Sequence, residues 1–379
     1  MSIGANWEKA KLGDICHVVT GNTPPKSHPK YYGGSIPWIK PDNLDKEMYV
    51  QESTEYLSDE GGSLARLLPA GSVLVSCIGN LGKIAIAGIT LATNQQINAL
   101  IPSDKIDSEF LFFACSAIRK KLSQIAAVTI VPIVNKSAFS EIEILVPPIE
   151  EQRQIAARLK AQLAEVEKAR QAAGAQLSAT GELTNAIISD SLKKGKTVKY
   201  LLGDVLQEVK QGIGDGWAEF PVLGATRNGL APAKEPVGKH PHKYKPVFSG
   251  TVFYNPMRIL IGSIAFVDID DAPGITSPDY VALTGREGIV DSRWFYYWLR
   301  SSLGEQCILS LARGAVRERM LFNRLAEGEI ELPSYQSQQK ASIALAGLKA
   351  MQRAIEKQLH EISILPQKIL AQAFDWQER

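Results

Sequence analysis

Glu143-Ile-Leu-Val-Pro147-Pro-Ile-Glu-Glu-Gln152-Arg-Gln-Ile-Ala156 is the stretch on which the reading of this chain turns. An apolar run ends at a proline pair, and the residue before a proline is held away from helical geometry. From Ile149 there is neither Pro nor Gly until Gly174. A strand therefore stops here and a long helix begins. The same transition recurs at Glu329-Ile-Glu-Leu-Pro333-Ser, followed by Ser337-Gln-Gln-Lys340.

Working outward, more of the chain proves to be written twice. Trp7-Glu-Lys-Ala-Lys-Leu12-Gly-Asp14 is echoed by Lys199-Tyr-Leu-Leu202-Gly-Asp204. Asp107-Ser-Glu-Phe-Leu-Phe-Phe-Ala is echoed by Asp291-Ser-Arg-Trp-Phe-Tyr-Tyr-Trp. Ala186-Ile-Ile-Ser-Asp-Ser-Leu parallels Lys368-Ile-Leu-Ala-Gln-Ala-Phe. Four echoes in one order, at offsets of 190, 184, 186 and 182 residues, indicate a duplicated module. Each copy opens with a mixed α/β head, 1–149 and 199–335. Short β-prone runs in the heads (72–78, 83–86, 250–254, 259–267) are set off by Gly, Pro and Asn turns. One helix is expected at 107–123 and its counterpart at 291–303.

Each copy closes with a helix, at 150–198 and 336–379. In the first, Ile155, Leu159, Leu163, Val166, Ala173, Leu177 and Ile187 keep to one face. In the second, Leu348, Ile355, Ile362 and Ile369 fall seven apart, with Met351, Leu359, Leu365 and Ala373 between them, which is an a/d seam. Pro366 is expected to kink its last turns. At 1.5 Å per residue, helices of ~40 residues span ~60 Å. Their natural partners are each other, in an antiparallel coiled coil with the heads at opposite ends, related by a pseudo-twofold. The expected fold is thus α+β, two target-reading heads separated by paired helices. Two similar heads on a rod address half-sites at a fixed spacing on DNA, and because they differ in sequence the target would be bipartite and asymmetric.

Bulk composition is compatible with this and does not by itself point to nucleic acid. Of 379 residues 45% are hydrophobic and 22% charged, with net charge +2. Residues 1–149 carry 13 Lys+Arg against 14 Asp+Glu, and 199–335 carry 15 against 16. DNA would have to meet local clusters. The four cysteines form no CxxC pair, no apolar run has transmembrane length, and a cytoplasmic protein without disulfides is expected.

Gly21-Asn-Thr-Pro-Pro, Tyr31-Tyr-Gly-Gly-Ser-Ile-Pro-Trp38-Ile-Lys-Pro-Asp-Asn-Leu and Thr93-Asn-Gln-Gln-Ile-Asn-Ala-Leu resemble a type I target-recognition domain. The 145–156 run resembles that family's entry into its helix, and Leu365-Pro-Gln-Lys-Ile-Leu-Ala-Gln-Ala-Phe374 its exit. The chain is similar throughout to the DNA-specificity subunits of type I restriction-modification systems. Its second head departs most, with Ser277-Pro-Asp-Tyr-Val-Ala-Leu in place of the Asn-Gln-Gln run. The resemblance implies a non-catalytic reader of double-stranded DNA that docks two methyltransferase subunits and, through the complex, restriction/translocase subunits, with no membrane partner. The alternatives are a coiled-coil interaction protein whose heads bind protein, and the specificity part of a single-chain restriction-methyltransferase.

The enzymatic reading lacks parts. Ser277-Pro-Asp-Tyr280 and Asn255-Pro-Met257 do not provide an Asn-Pro-Pro-Tyr-type base grip. Lys194-Gly-Lys-Thr197 lacks the upstream glycine of a phosphate loop. No acid-x-Lys element follows Pro41-Asp42 or Pro278-Asp279, and His240-Pro-His242 has no ligand partners in sequence. No cofactor, metal or catalytic residue is expected.

Base edges are read by Arg, Lys, Asn and Gln, and phosphates are held by Lys, Arg, Ser, Thr and Tyr. In the first head the DNA-binding candidates are Asn22, Thr23, Lys26, Lys30, Tyr31, Tyr32 and Lys40, with Asn80 and Lys83 in a Gly-flanked turn. In the second they are Arg227, Asn228, Lys239, His240, Lys243, Tyr244 and Lys245, then Arg258, Arg313 and Arg317. Any one of these has the simpler reading of a solvated loop side chain; the clusters carry more weight than their members. Helix pairing is assigned to Leu159, Leu163, Val166, Leu177 and Ile187 against Leu348, Ile355, Leu359, Ile362 and Ile369.

Overall fold

The structure, a computed structural model, describes residues 6–126, 131–312 and 319–374. The chain forms two compact units, Met1–Gln171 with His360–Arg379, and Ala172–Leu359. Each contains one head and part of each long helix.

In the first unit a five-stranded sheet runs in the order Cys16–Thr20, Ile97–Pro102, Val73–Ser76, Ile84–Ala87, Tyr49–Val50. Its central strands are mostly apolar because both faces are covered. Alternate residues part to opposite sides: Val73, Val75, Ile84 and Ile86 join the core under helix Ser108–Ala117, while Leu74, Ala85, Ala87 and Ala99 face a second layer. A smaller sheet, Tyr56–Leu57, Tyr32–Ile39, Leu91–Thr93, Leu67–Leu68, completes the head.

The second unit repeats this plan. Leu206–Glu208, Val281–Gly285, Val252–Tyr254 and Ile264–Phe266 form its sheet, in the order of the first four strands above. Val252, Tyr254, Ile264 and Phe266 pack under helix Ser292–Arg300, and Phe253, Ala265 and Ala282 pack on the other side. Its outer layer is reduced to two ribbons, Leu223–Thr226 with Gly229–Pro232 and Lys245–Val247 with Gly274–Thr276.

Both heads hang on a two-stranded antiparallel stem: Glu8–Lys11 against Glu143–Val146, and Val198–Leu201 against Glu329–Leu332. Just past each stem lies a glutamine with no solvent exposure, Gln152 or Gln338. Gln152 accepts from the Asp107 N–H (2.8 Å) and donates to the Lys105 and Pro147 carbonyls (2.9 and 2.7 Å). Gln338 does the same with Asp291 (2.9 Å), Ile289 and Pro333 (2.9 and 3.0 Å). Asp107 and Asp291 are N-caps, accepting from the Phe110 and Trp294 N–H groups. One amide thus ties stem, long helix and head helix together.

The sequence predicts one helix over 107–123 and one over 291–303. Each is instead split in two, Ser108–Ala117 then Arg119–Ile125, and Ser292–Arg300 then Ser302–Leu311. Ser301 takes an extended conformation and its hydroxyl caps the second piece at Gly304. Of the apolar run 259–267 only Ile264–Phe266 is strand; Ile259–Ile261 is a 3-10 turn closed by Gly262 at φ +81°.

The long helices are Ile149–Lys193 and Tyr335–Phe374, the latter continuous through Pro366. In the first unit Ile155, Ala156 and Leu159 share a core with Ala373 and Phe374, flanked by Leu163 and Ile369. In the second, Ile188 shares a core with Ala341 and Leu345, flanked by Ile187. The start of one helix meets the end of the other in one unit, and the reverse holds in the next, as in an antiparallel coiled coil. Leu348, Ile355 and Ile362 are buried, and Val166, Leu177 and Leu359 half-buried. Two between-seam positions differ from the sequence reading. Met351 is 53% and Leu365 38% exposed, while the heptad positions beside them are the half-buried Gln352 and Pro366. In the first helix the buried Thr180 continues the seven-residue spacing of Leu159, Val166 and Ala173.

Candidate nucleic-acid interface

In the first head, the chain between strands Val73–Ser76 and Ile84–Ala87 turns tightly. The Ser76 hydroxyl donates to the Asn80 carbonyl and accepts from the Lys83 N–H at 2.9 Å. Gly82 has φ +77°, and a Cβ there would lie 2.5 Å from the Arg119 side chain, so glycine is required on both counts. This turn presents Asn80 to solvent. Lys40, Asp42, Asn80 and Gln96 line one groove beside it, and Asn80, Lys83 and Arg119 the adjoining one, with Gly79 and Pro132 common to both. Two clusters separate in sequence, at Lys40 and at Asn80–Lys83, are thereby brought together.

Charges here are loosely held. Lys83 is 3.5 Å from Asp42, whose side chain is 97% exposed, and Arg119 pairs with Asp45 at 3.0 Å; exposed pairs of this kind contribute little. Lys40 pairs with Glu55 and sits 4.8 Å over the Trp38 ring, itself buried in the head. Amide and cationic donors around a concave surface suit base edges and phosphates.

The remaining candidates of this head lie elsewhere. Lys26 and Tyr32 line a separate groove with Thr54, Glu55 and Tyr56. Asn22 spends its amide on backbone, donating to the Leu64 carbonyl (2.8 Å) and accepting from the Arg66 N–H (2.9 Å). The Thr23 hydroxyl donates to Gln95, and the Tyr32 hydroxyl to the Pro24 carbonyl at 2.6 Å. Lys30 pairs with Glu60 at 2.7 Å and lies over Tyr31. These side chains shape the loop.

In the second head the equivalent turn is Asn255–Ser263. Arg227 and Asn228, exposed at the tip of the Leu223–Pro232 ribbon, line a groove with Leu260, Ile261, Arg300 and Glu305. Arg300 holds this groove together: it donates to the carbonyls of Arg227 (2.6 Å), Gly262 (3.3 Å) and Ile264 (3.0 Å) and stacks on Tyr296. Arg258 is exposed at the start of the 3-10 turn.

Lys239, His240 and Lys243 are exposed on a different loop and do not line this groove. Tyr244 is buried and its hydroxyl accepts from the Gly238 N–H at 2.9 Å. Lys245 donates to the Tyr280 carbonyl at 2.7 Å, and burial lowers its pKa. Both side chains are engaged within the head itself. Arg313 and Arg317 lie outside the described residues. Gln96, Arg119 and Arg300 were missed by sequence reasoning. Only Gln96 left a signal, in the Thr93–Leu100 run.

With this geometry in place, comparison with known proteins is direct. Residues 4–173 match the family described as type I restriction modification DNA specificity domain. The match covers less than half of the chain, its first head and the opening of the helix that follows. Among its relatives, the type I restriction enzyme HindI specificity subunit of Haemophilus influenzae is 34% identical over 146 residues, 37% of this chain and 32% of the relative. The MjaIX specificity subunit of Methanocaldococcus jannaschii is 32% identical over 160 residues, 41% of this chain and 37% of the relative. Each match thus spans about a third of the relative's length.

Solved structures extend the likeness of fold to the whole chain. A chain from a type I R-M system superposes with TM-score 0.72 at 18% identity, covering 99% of both chains. A type I restriction-modification S subunit from M. genitalium gives 0.52 at 14%, covering 99% of this chain and 98% of that one.

Proposed function

We propose that this chain is the non-catalytic DNA-recognition subunit of a type I restriction-modification complex, each head reading one half of a bipartite, asymmetric target. The observation that carries this reading is the pair of heads built to one plan, each with a groove at the same hairpin turn, of which the first falls within the matched specificity domain. Similar scaffolds with different groove residues are what two readers of unlike half-sites require. The paired helices would set the half-site spacing, and their remaining faces would dock methyltransferase subunits, two per chain in keeping with two heads.

The test is to express the chain with type I methyltransferase subunits and to map modified bases across the genome. One bipartite, non-palindromic motif with a fixed spacer is expected. Methylation by this chain alone with S-adenosylmethionine, or an unchanged pattern on its deletion, would overturn the reading.

A further inference from the structure

The equivalent turns of the two heads differ in chemistry. In the first head the turn offers Asn80 and Lys83. In the second it offers Met257, Leu260 and Ile261, which are 59%, 47% and 66% exposed. Three large apolar side chains at one turn in water need a reason, since scattered exposed residues are normal and clustered ones are not. Looseness is not the reason. Ile259 is 3% exposed and anchors the turn from below. The Gly262 and Ser263 N–H groups donate to the Ile259 and Arg258 carbonyls at 2.9 and 3.1 Å, and the Ser263 hydroxyl donates to the Ala225 carbonyl at 2.7 Å. Arg300 fixes the turn to the ribbon tip.

The surroundings indicate the occupant. Arg227 and Arg258 are exposed beside this tip and have no ion pair among the described residues, and Asn228 lies next to Arg227. Cations and an amide framing an apolar tip complement a polyanion that carries methyl groups on a polar floor. The major groove of DNA is such a surface, because the thymine C5-methyl stands beside base-edge acceptors.

We propose that the two heads read DNA with the same hairpin turn by opposite means: the first by hydrogen bonds from Asn80 and Lys83, the second by packing Leu260 and Ile261 on a thymine methyl group, with Arg227 and Arg258 holding the flanking phosphates. This rests on the DNA-recognition reading above and assigns the second half-site a thymine at the turn.

The test uses the assembled complex and duplexes of its mapped target in which each thymidine is replaced in turn by deoxyuridine, which removes only the methyl group. One substitution in the half-site read by the second head is expected to weaken binding about three- to tenfold, and none in the other half-site. In the Ile261→Ala complex that sensitivity should shrink to less than twofold. Specific binding that ignores every thymine methyl in the second half-site would overturn the proposal and leave DNA recognition intact. So would an Ile261→Ala complex that loses all duplexes equally and releases a methyltransferase subunit, since the tip would then be a protein contact. Failure to bind any duplex specifically would instead defeat the recognition reading.

Discussion

Gln152 and Gln338 each join three separate backbone groups through one buried amide. A buried amide with three satisfied partners rigidifies, and losing it strands those partners. Gln152→Leu leaves the Asp107 N–H and the Lys105 and Pro147 carbonyls unmatched. The expected cost is about 2–4 kcal/mol, read as a fall in the denaturation midpoint of the first unit; a loss below about 0.5 kcal/mol would show the latch to be dispensable. The second unit has a further device. Asp268 pairs with Arg293 and, at 3.3 Å, with Lys349; Asp271 pairs with Lys349 and Arg353 at 2.8 and 2.6 Å. Burial pushes both carboxyls up, but the hydrogen bonds and these cations outweigh it and hold both below their ordinary 3.8. A depressed carboxyl contributes stability above its unfolded pKa and loses it as pH falls through the folded one. Urea midpoints should therefore drop below about pH 4, and Lys349→Met should flatten that drop. Local sequence pattern does not reveal this network, because its pairs span 25 to 82 positions.

At the scale of elements, the short strands and the long helices were legible, since each rests on a local pattern or a proline stop, whereas the stems pair strands about 130 residues apart. What local pattern could not supply was register. Met351 and Leu365 look like seam residues because they are apolar, yet the heptad of Ala341, Leu348, Ile355 and Ile362 sets Gln352 and Pro366 beside them. Ile355→Ala is accordingly expected to cost about 2–4 kcal/mol and Met351→Ala within about 0.5 kcal/mol, by denaturant melts of the single variants; equal costs would refute the register. The Ile259–Ile261 run misled for a related reason. Apolar content alone does not separate a buried strand from an exposed turn, and the decision was taken by Gly262 and Arg300. Groove residues such as Arg119 were hidden because the turn they face is remote in sequence.

For the whole molecule, the stems make each head a separable lobe. Exchange of residues 12–142 for another head of the family, leaving stem and Gln152 in place, should change one half of the methylated motif and preserve the other half and the spacer. Methylome sequencing would read this directly. A change in both halves would refute independent reading. Inserting one heptad near Gly174 should alter the spacer or abolish modification, and an unchanged motif would refute the helices as its determinant.

The core of the first head contains Ala373 and Phe374, with Phe374 5.8 Å from Phe110. This has a consequence for biosynthesis. The first head leaves the ribosome before the second, but Ala373 and Phe374, which close its core, are translated after both. Until they arrive, Phe110, Ile155 and Leu159 form an open apolar seat, and the nascent chain must shield it for the whole time the second head is being made. Closure of the first head's core thus waits on residues made after the second head, and a stall between the two would leave that surface exposed.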